Sequence, residues 1–264
     1  MGRIITLTTD FGTQDAYVAA MKGVILTIAP DVYLVDVTHE IPPQNVREGA
    51  YVMDTATKHF PEGSIHVGVV DPGVGSARRA IAVRTERALY VAPDNGLLTA
   101  ILQREYPLEA VHLDNPIYWR NQVSHTFHGR DIFAPVAAYL ARGVPLNAIG
   151  TPISTDELIR LEWPEPVRTP DGHVEGIVVH IDRYGNIVTN IPSNLLDGAA
   201  EAWVFSVDGQ QLRGLKSAYA EVDVGEGLAL IGSNDTLEFS LRDGNAARAW
   251  NVKPGDRVRA WREE

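Results

Sequence analysis

From residue 3 to about residue 160, short apolar runs alternate with stretches whose apolar positions recur every three or four residues. RIITLT (3–8) reads as a buried strand. DAYVAAMKGVILTIAP (15–30) reads as a helix with Tyr17, Met21, Val24, Ile25 and Ile28 on one face and Pro30 ending it. VYLVDVT (32–38) is the next strand, NVREGAYVMDTATKHF (45–60) the next helix and SIHVGVV (64–70) the third strand, a βαβαβ order. AIAVRT (80–85) and ALYVAP (88–93) add strands, DNGLLTAILQRE (94–105) a helix, LEAVHL (108–113) a strand and GRDIFAPVAAYLARG (129–143) a helix. The pattern predicts an α/β domain over residues 1–163, with Rossmann-like layers around a largely parallel sheet.

Residues 161–173, LEWPEPVRTPDGH, contain three prolines and break both periodicities, so they read as a linker. Beyond them the period changes to two. HVEGIVVHI, GNIVTNI, AWVFSVDGQQLRGL with a hairpin turn at Asp208-Gly209, GLALIGS, TLEFSLR and DRVRAWR read as short strands separated by turns. An all-β antiparallel barrel or sandwich over 174–264 is expected.

With 264 residues and 45% hydrophobic side chains the chain can bury a sizeable core. It has no cysteine, so disulfides, thiolate metal sites and cysteine nucleophiles are excluded and chemistry falls to oxygen and nitrogen groups. A formal net charge of −11 disfavours nucleic acid as a partner, because phosphate binding needs a basic face. No apolar run approaches the roughly 20 residues of a membrane helix. MGRIITLTTD lacks the apolar core and cleavage site of a signal peptide, so no membrane association and a soluble cytoplasmic protein are expected.

Polar clusters fall where the first-domain strands end: Asp10 in TTDFGTQD, His39 and Glu40 in VTHEIPPQ, Asp71 and Arg78 in VVDPGVGSARR, Asp94 and Asn95 in APDNG, and His125, His128, Arg130 and Asp131 in HTFHGRD. Ligands of open α/β sheets bind outside the carboxyl ends of the strands, so these loops are expected to share a rim. Each cluster also has a plainer reading. Asp10 and Asp94 suit helix capping as well as ligand contact. Pro72-Gly73-Val74-Gly75 suits a turn needing positive φ, and Arg78 stands where a dinucleotide fingerprint has its third glycine. His39-Glu40 reads as a solvated loop, and Arg130 with Asp131 as a structural pair or an N-cap. His125 and His128 match no specific metal spacing, and no metal ligand is assigned.

Taken in order, TTDFGTQDAYVAAMKG, DVTHEIPPQNVREGAY, VVDPGVGSARR, APDNGLL, TFHGRDIFAPVAAYLA and IDRYGNIVTNI resemble the S-adenosylmethionine hydroxide adenosyltransferase family, relatives of fluorinating and chlorinating enzymes, over nearly the whole chain. The resemblance implies hydrolysis of S-adenosyl-L-methionine: water displaces methionine from the ribose 5′ carbon, giving adenosine and L-methionine, with no cofactor. A sulfonium leaves without protonation, and water's pKa of ~15.7 leaves almost no hydroxide at neutral pH, so activating water is the main task.

By block, the family's water-activating aspartate, arginine and histidine fall on Asp71, Arg78 and His128. Arginine stays protonated, which leaves the proton to Asp71 or His128. The resemblance further implies that Asp10 chelates the ribose hydroxyls. Asp182 and Asn186 would meet the methionine ammonium and the adenine edge, Tyr184 and Phe127 form apolar walls, Ser233 grips the methionine carboxylate, and the backbone near Ala246 reads adenine. One departure stands out: Gly232-Ser233-Asn234-Asp235 replaces an expected Asn-Ser-Ser-Gly-like run. The resemblance implies a homotrimer with sites between neighbouring subunits.

Three other readings compete. Halogenating relatives carry a tyrosine and a threonine where this chain has Asp71 and Val74, and a serine where it has Gly129. A non-catalytic sensor of S-adenosylmethionine or adenosine would have no use for the Asp71, Arg78, His128 trio. A metal-dependent phosphoesterase would use the histidines and aspartates.

Overall fold

The computed structural model describes residues 3–263 and divides into two compact units that meet in sequence between Glu162 and Trp163. In the first, the elements run β1 (Ile4–Thr9), α1 (Tyr17–Ile28), β2 (Tyr33–Thr38), α2 (Val46–Thr57), β3 (Ile65–Val69), β4 (Ala80–Arg84), β5 (Leu89–Pro93), α3 (Thr99–Arg104), β6 (Glu109–His112), α4 (Ala134–Ala141), α5 (Leu146–Ile149) and β7 (Thr151–Ile153).

The strands form one sheet in the order β2-β1-β3-β5-β4-β6-β7. β2, β1, β3 and β5 are mutually parallel, whereas β4 runs antiparallel to β5 and β6, and β7 antiparallel to β6. The sheet is therefore mixed where a largely parallel one was expected. The physical reason is the four-residue connection between β4 and β5, Thr85 to Ala88, which makes a hairpin; a parallel crossover needs a dozen residues or more.

Side chains alternate between two apolar clusters. Ile5, Leu7, Ile65, Val67 and Val91 share one with Met21 and Ile25 of α1 and Val136 and Leu140 of α4. Ile81, Val83, Tyr90 and Ala92 share the other with Met53 of α2 and Ile101 of α3. β3 is buried at every position, as a central strand should be, and edge strand β2 is largely exposed. On α1 only Met21 and Ile25 are buried; Tyr17 is half exposed. The stretch from Gly129 opens as a π-helical turn, Gly129–Phe133, before α4 continues.

The second unit contains β8 (Val167–Arg168), β9 (Val174–Ile181), β10 (Ile187–Pro192), β11 (Trp203–Val207), β12 (Gln210–Arg213), β13 (Leu215–Lys216), β14 (Gly227–Ile231), β15 (Thr236–Leu241), α6 (Ala246–Trp250) and β16 (Arg257–Arg262). They make a nine-stranded, nearly closed barrel-like sheet in the order β12-β11-β16-β9-β10-β15-β14-β13, with β8 on β9. All pairs are antiparallel except β13 with β14. The expected hairpin at Asp208-Gly209 joins β11 to β12, and both residues have positive φ, 44° and 80°, as a type I′ turn requires. β8 lies within the stretch read as a linker. Trp203, Phe205, Leu237 and Phe239 centre the core. Among the described residues, no helix is long and apolar enough to cross a membrane.

Candidate active site

In the first unit the chain leaves β1 toward β2 on one side and, later, toward β3 on the other, so the sheet's switch point lies between β1 and β3. Their pairing ends at Thr9 with Val69, and the two strands deliver Asp10 and the segment from Val70 side by side. The end of β3 is fixed by Asn95, whose Nδ2 donates to Val70 O at 2.9 Å.

The segment from Asp71 folds back through two overlapping turns. Val74 N donates to Asp71 O, and Ser76 N and Oγ both donate to Gly73 O. Gly75 has φ +76°, and a Cβ there would stand 2.3 Å from His125 O, so the turn packs backbone against backbone and only glycine fits. The fold-back brings Arg78 onto Asp71. Nε donates to Oδ1 at 2.9 Å and to Oδ2 at 3.1 Å, Nη2 donates to Oδ2, and Nη2 also donates to His128 Nδ1 at 2.9 Å. The guanidinium lies 5.3 Å from the centroid of the Phe133 ring. Only 5% of the Asp71 side chain and 10% of the Arg78 side chain reach solvent.

These contacts set the protonation of His128. A guanidinium donates and never accepts, so Nδ1 is the acceptor and the neutral ring carries its proton on Nε2. Burial lowers the imidazole pKa below its ordinary value, and the Arg78 charge lowers it further against the opposing pull of Asp71. The segment that carries the ring is tied down within the π turn. Asp131, fully buried, accepts from Arg120 Nη1 (3.0 Å), Ser124 N (2.9 Å) and Arg130 Nε (2.7 Å). Burial raises the Asp131 pKa, but Arg130, the Ser124 amide and Arg120 outweigh it and hold it below the usual range. Asp131 is thus a structural brace.

Asp10 Oδ2 accepts from Gln44 N at 2.7 Å. Phe127 packs edge-on to Phe11 and Tyr17, with centroids 5.7 and 5.1 Å apart, under the Arg130 guanidinium. Two residues of the expected rim serve elsewhere. Asp94 is buried in an ion pair with Arg79 and accepts Ile159 N, so it is a clamp and not a cap. His39, read as part of a solvated loop, is buried: Nδ1 meets Thr9 Oγ1 at 2.9 Å and Nε2 lies 3.0 Å from Asp36 Oδ1. The carboxylate and the threonine give its polar ring partners that a loop in water would not need. Among the described residues no three His, Asp or Glu side chains gather as a metal-binding group.

In the second unit Asp182, Tyr184, Asn186 and Ser233 line one groove of about 910 Å³, together with Tyr219, Glu238 and Arg242, which the sequence reading did not single out. Asp182 shapes its own loop: Oδ1 accepts from Tyr184 N (2.9 Å) and Asn186 N (2.8 Å), and Oδ2 from Asn186 Nδ2 (2.9 Å). Gly185, at φ +88°, faces Asn245, and its carbonyl accepts from Ala247 N, which ties the loop to the buried Ala246 turn. Tyr184 is 77% exposed, an aromatic ring left standing at the groove's edge.

A mixed α/β unit with a carboxylate–guanidinium–imidazole chain at its switch point, followed by a barrel-like unit with a polar groove, is the arrangement of an enzyme acting on a small ligand. Comparison with known proteins identifies the class. Residues 5–150 match the SAM hydroxide adenosyltransferase N-terminal domain and residues 176–259 the C-terminal domain of the same family. The chain belongs to that family. It is 39% identical to the (R)-S-adenosyl-L-methionine hydrolase of Salinispora tropica over 97% of this chain and 96% of that one. It is 30% identical to a fluorinase of an Actinoplanes species over 96% and 95%. The crystal structure of an uncharacterized conserved protein from Thermotoga maritima superposes with a TM-score of 0.91, at 35% identity, covering 98% of this chain and all of that one.

Proposed function

We propose that the protein hydrolyses S-adenosyl-L-methionine to adenosine and L-methionine. The observation that carries the reading is the hydrogen-bonded chain Asp71–Arg78–His128, in which three groups from two loops meet. Water attacks the ribose 5′ carbon: the C5′–O bond forms, the C5′–S bond breaks, and the electron pair of the latter neutralises the sulfonium to the thioether of methionine. One proton must leave the attacking oxygen. His128 Nδ1 is occupied by Arg78 and Nε2 already bears hydrogen, so the imidazole orients the water as a donor and Asp71 takes the proton. Arg78 holds the carboxylate and stabilises negative charge developing on oxygen. No cofactor is required by this balance.

Asp10, with two acceptor oxygens, is assigned to the ribose hydroxyls and Phe127 to an apolar wall. Asp182, Asn186, Tyr184, Ser233 and the backbone at Ala246 are assigned to the methionine and adenine ends. The groove shared by Asp182, Tyr184, Asn186 and Ser233 supports that assignment. The reading extends to Rossmann-like layers in the first unit and to a cytoplasmic homotrimer whose neighbouring subunits complete each site. The test is turnover in ¹⁸O water with mass analysis of both products. Displacement at carbon puts the label in the 5′ hydroxyl of adenosine; label in neither product, or no adenosine at all, refutes the proposal.

A further inference from the structure

Neither the loop reading nor the family resemblance gives His39 a task, yet the structure buries it beside the turn that carries Asp10. β1 and β2 keep register as far as Leu7 with Asp36; β2 then takes one extra residue, so that Thr8 pairs with Thr38. The irregularity sets the next two residues, Thr9 and His39, beside each other, with Thr9 fully buried and His39 5% exposed.

The contacts between them have a direction. Thr9 Oγ1 accepts from Phe11 N at 3.2 Å, and its hydroxyl hydrogen points to His39 Nδ1, 2.9 Å away. The ring hydrogen then sits on Nε2, which lies 3.0 Å from Asp36 Oδ1; the angle is poor for a hydrogen bond, so the attraction is electrostatic. The opposite tautomer would turn a lone pair onto a carboxylate. Lys22 of α1 holds the other oxygen of Asp36. His39 also grips the turn through its backbone, since its carbonyl accepts from Gly12 N at 2.7 Å. Asp10 sits inside that grip. The Thr9 hydroxyl joins the residues on either side of it, and Gln44 N, from the loop that begins at His39, donates to its Oδ2 at 2.7 Å.

We propose that His39 is a positioning residue for Asp10: through Thr9 it fixes the turn that aims the carboxylate at the ribose 2′ and 3′ hydroxyls. The inference rests on the ribose role proposed for Asp10 and deepens it. A carboxylate that meets two neighbouring hydroxyls at once has to be held to within roughly 0.5 Å. Gln44 N takes one of its roughly four acceptor positions and sets its direction. The buried Thr9–His39 contact fixes the backbone from which it projects, so loss of that contact should loosen the ribose grip before it loosens anything else.

The test compares adenosine with 2′,3′-dideoxyadenosine by calorimetry, beside steady-state turnover of S-adenosylmethionine, in the full-length wild type, His39→Gln, His39→Asn and Thr9→Val. Gln carries its amide nitrogen to the place of Nε2 and loses Thr9; Asn carries its amide oxygen to the place of Nδ1 and keeps it. His39→Gln and Thr9→Val are expected to raise the KM for S-adenosylmethionine and the Kd for adenosine about 10-fold, the loss of roughly one hydrogen bond, with the dideoxynucleoside within about twofold of wild type. A grip on the ribose is made alike in ground and transition states, so kcat should stay within about threefold. His39→Asn should recover most of the loss. Equal weakening of both nucleosides would mean that His39 only supports the fold; wild-type affinity in His39→Gln, or Asn as poor as Gln, would remove the route through Thr9. Each of these overturns the inference. A wild-type protein that binds the two nucleosides equally would overturn the ribose role of Asp10 itself, a result seen before any substitution is compared. A wild type without turnover would sink the activity reading and leave the nucleoside comparison in force.

Discussion

Arg78→Lys separates charge from geometry at the centre of the site. The guanidinium reaches Asp71 through Nε and Nη2 and His128 through Nη2. A lysine ammonium is one point with three donors and cannot span a carboxylate in a fork while meeting an imidazole nitrogen. The positive charge stays, so Asp71 is not left unpaired, but at least one charged hydrogen bond is lost, worth about 1.5–3 kcal/mol. Both side chains are at least nine-tenths buried, so solvent screening does not soften the loss. The melting temperature should fall by roughly 4–8 °C. Turnover should fall further, by about 10²–10³ in kcat, because the donors aimed at developing charge are displaced. Arg78→Met goes beyond this by stranding a buried carboxylate, at about 3–5 kcal/mol, and by removing one cause of the lowered His128 pKa, which should then move up toward its ordinary value. Adenosine formation measured by chromatography, beside thermal melts of the three proteins, decides the matter. A Lys variant with kcat within threefold of wild type would refute the claim that the fork is part of the catalytic apparatus.

Two further outcomes follow from the first unit. His66 is buried beside Tyr90, and burial above all, opposed by Glu105 and aided by Arg104, lowers its pKa from 6.5 to about 4. The unfolded chain then binds the proton more readily than the folded one, so this contribution is complete above pH 6.5 and is lost as pH falls toward 4, by about 3 kcal/mol. Denaturant titrations at pH 7.5, 6, 5 and 4 should show that slope in the wild type and its absence in His66→Gln; identical slopes would refute it. Gly75→Ala places a methyl 2.3 Å from the His125 carbonyl at φ +76° and must displace the loop carrying Asp71 and Arg78, so kcat should drop on the order of tenfold or more. Gly63→Ala, with a similar φ of +79° and no atom within 4 Å, should lower the melting temperature through backbone strain alone and leave kcat unchanged.

The elements that the sequence showed best were those whose periodicity is enforced by two-sided burial, such as β1, β3 and β5. What it hid were features decided by chain direction and by individual polar contacts. Direction is invisible to an apolar run: AIAVRT reads alike whether its strand runs with or against its neighbours, and only the short Thr85–Ala88 turn reveals β4 as antiparallel. DNGLLTAILQRE begins with residues committed elsewhere, Asp94 to Arg79 and Asn95 to the Val70 carbonyl, so helix forms only from Thr99. In the second unit the four side chains picked out by resemblance fall in one groove. Glu238 escaped because strict alternation assigns it to water, and its burial depends on Tyr219, nineteen residues away in sequence. His39 was missed for a similar reason: Thr9, which meets its ring, comes from β1, thirty residues earlier, although Asp36 lies only three residues away on β2.

The contacts also bear on why this chain should use oxygen as its nucleophile and not a halide. Three hydrogen bonds from Arg78 fix the Asp71 carboxylate in place, so it cannot swing aside to make room for an anion. A halide about 4 Å from that carboxylate taken alone would meet a repulsion of about 4 kcal/mol at an effective dielectric constant of 20, reduced by the paired Arg78 charge but not reversed while the two stay bonded. Arg78 has its Nε and Nη2 donors committed to Asp71 and His128, and neither Val74, which has no hydroxyl, nor Gly129, which has no side chain, adds another. Adding one at Gly129 would be tight, because even a Cβ there would sit 3.3 Å from Met21 Sδ and from the Phe11 ring. A neutral water suffers no such repulsion, and as it loses its proton the carboxylate that receives it loses its own charge, so attraction to Arg78 passes from Asp71 to the new oxygen nucleophile.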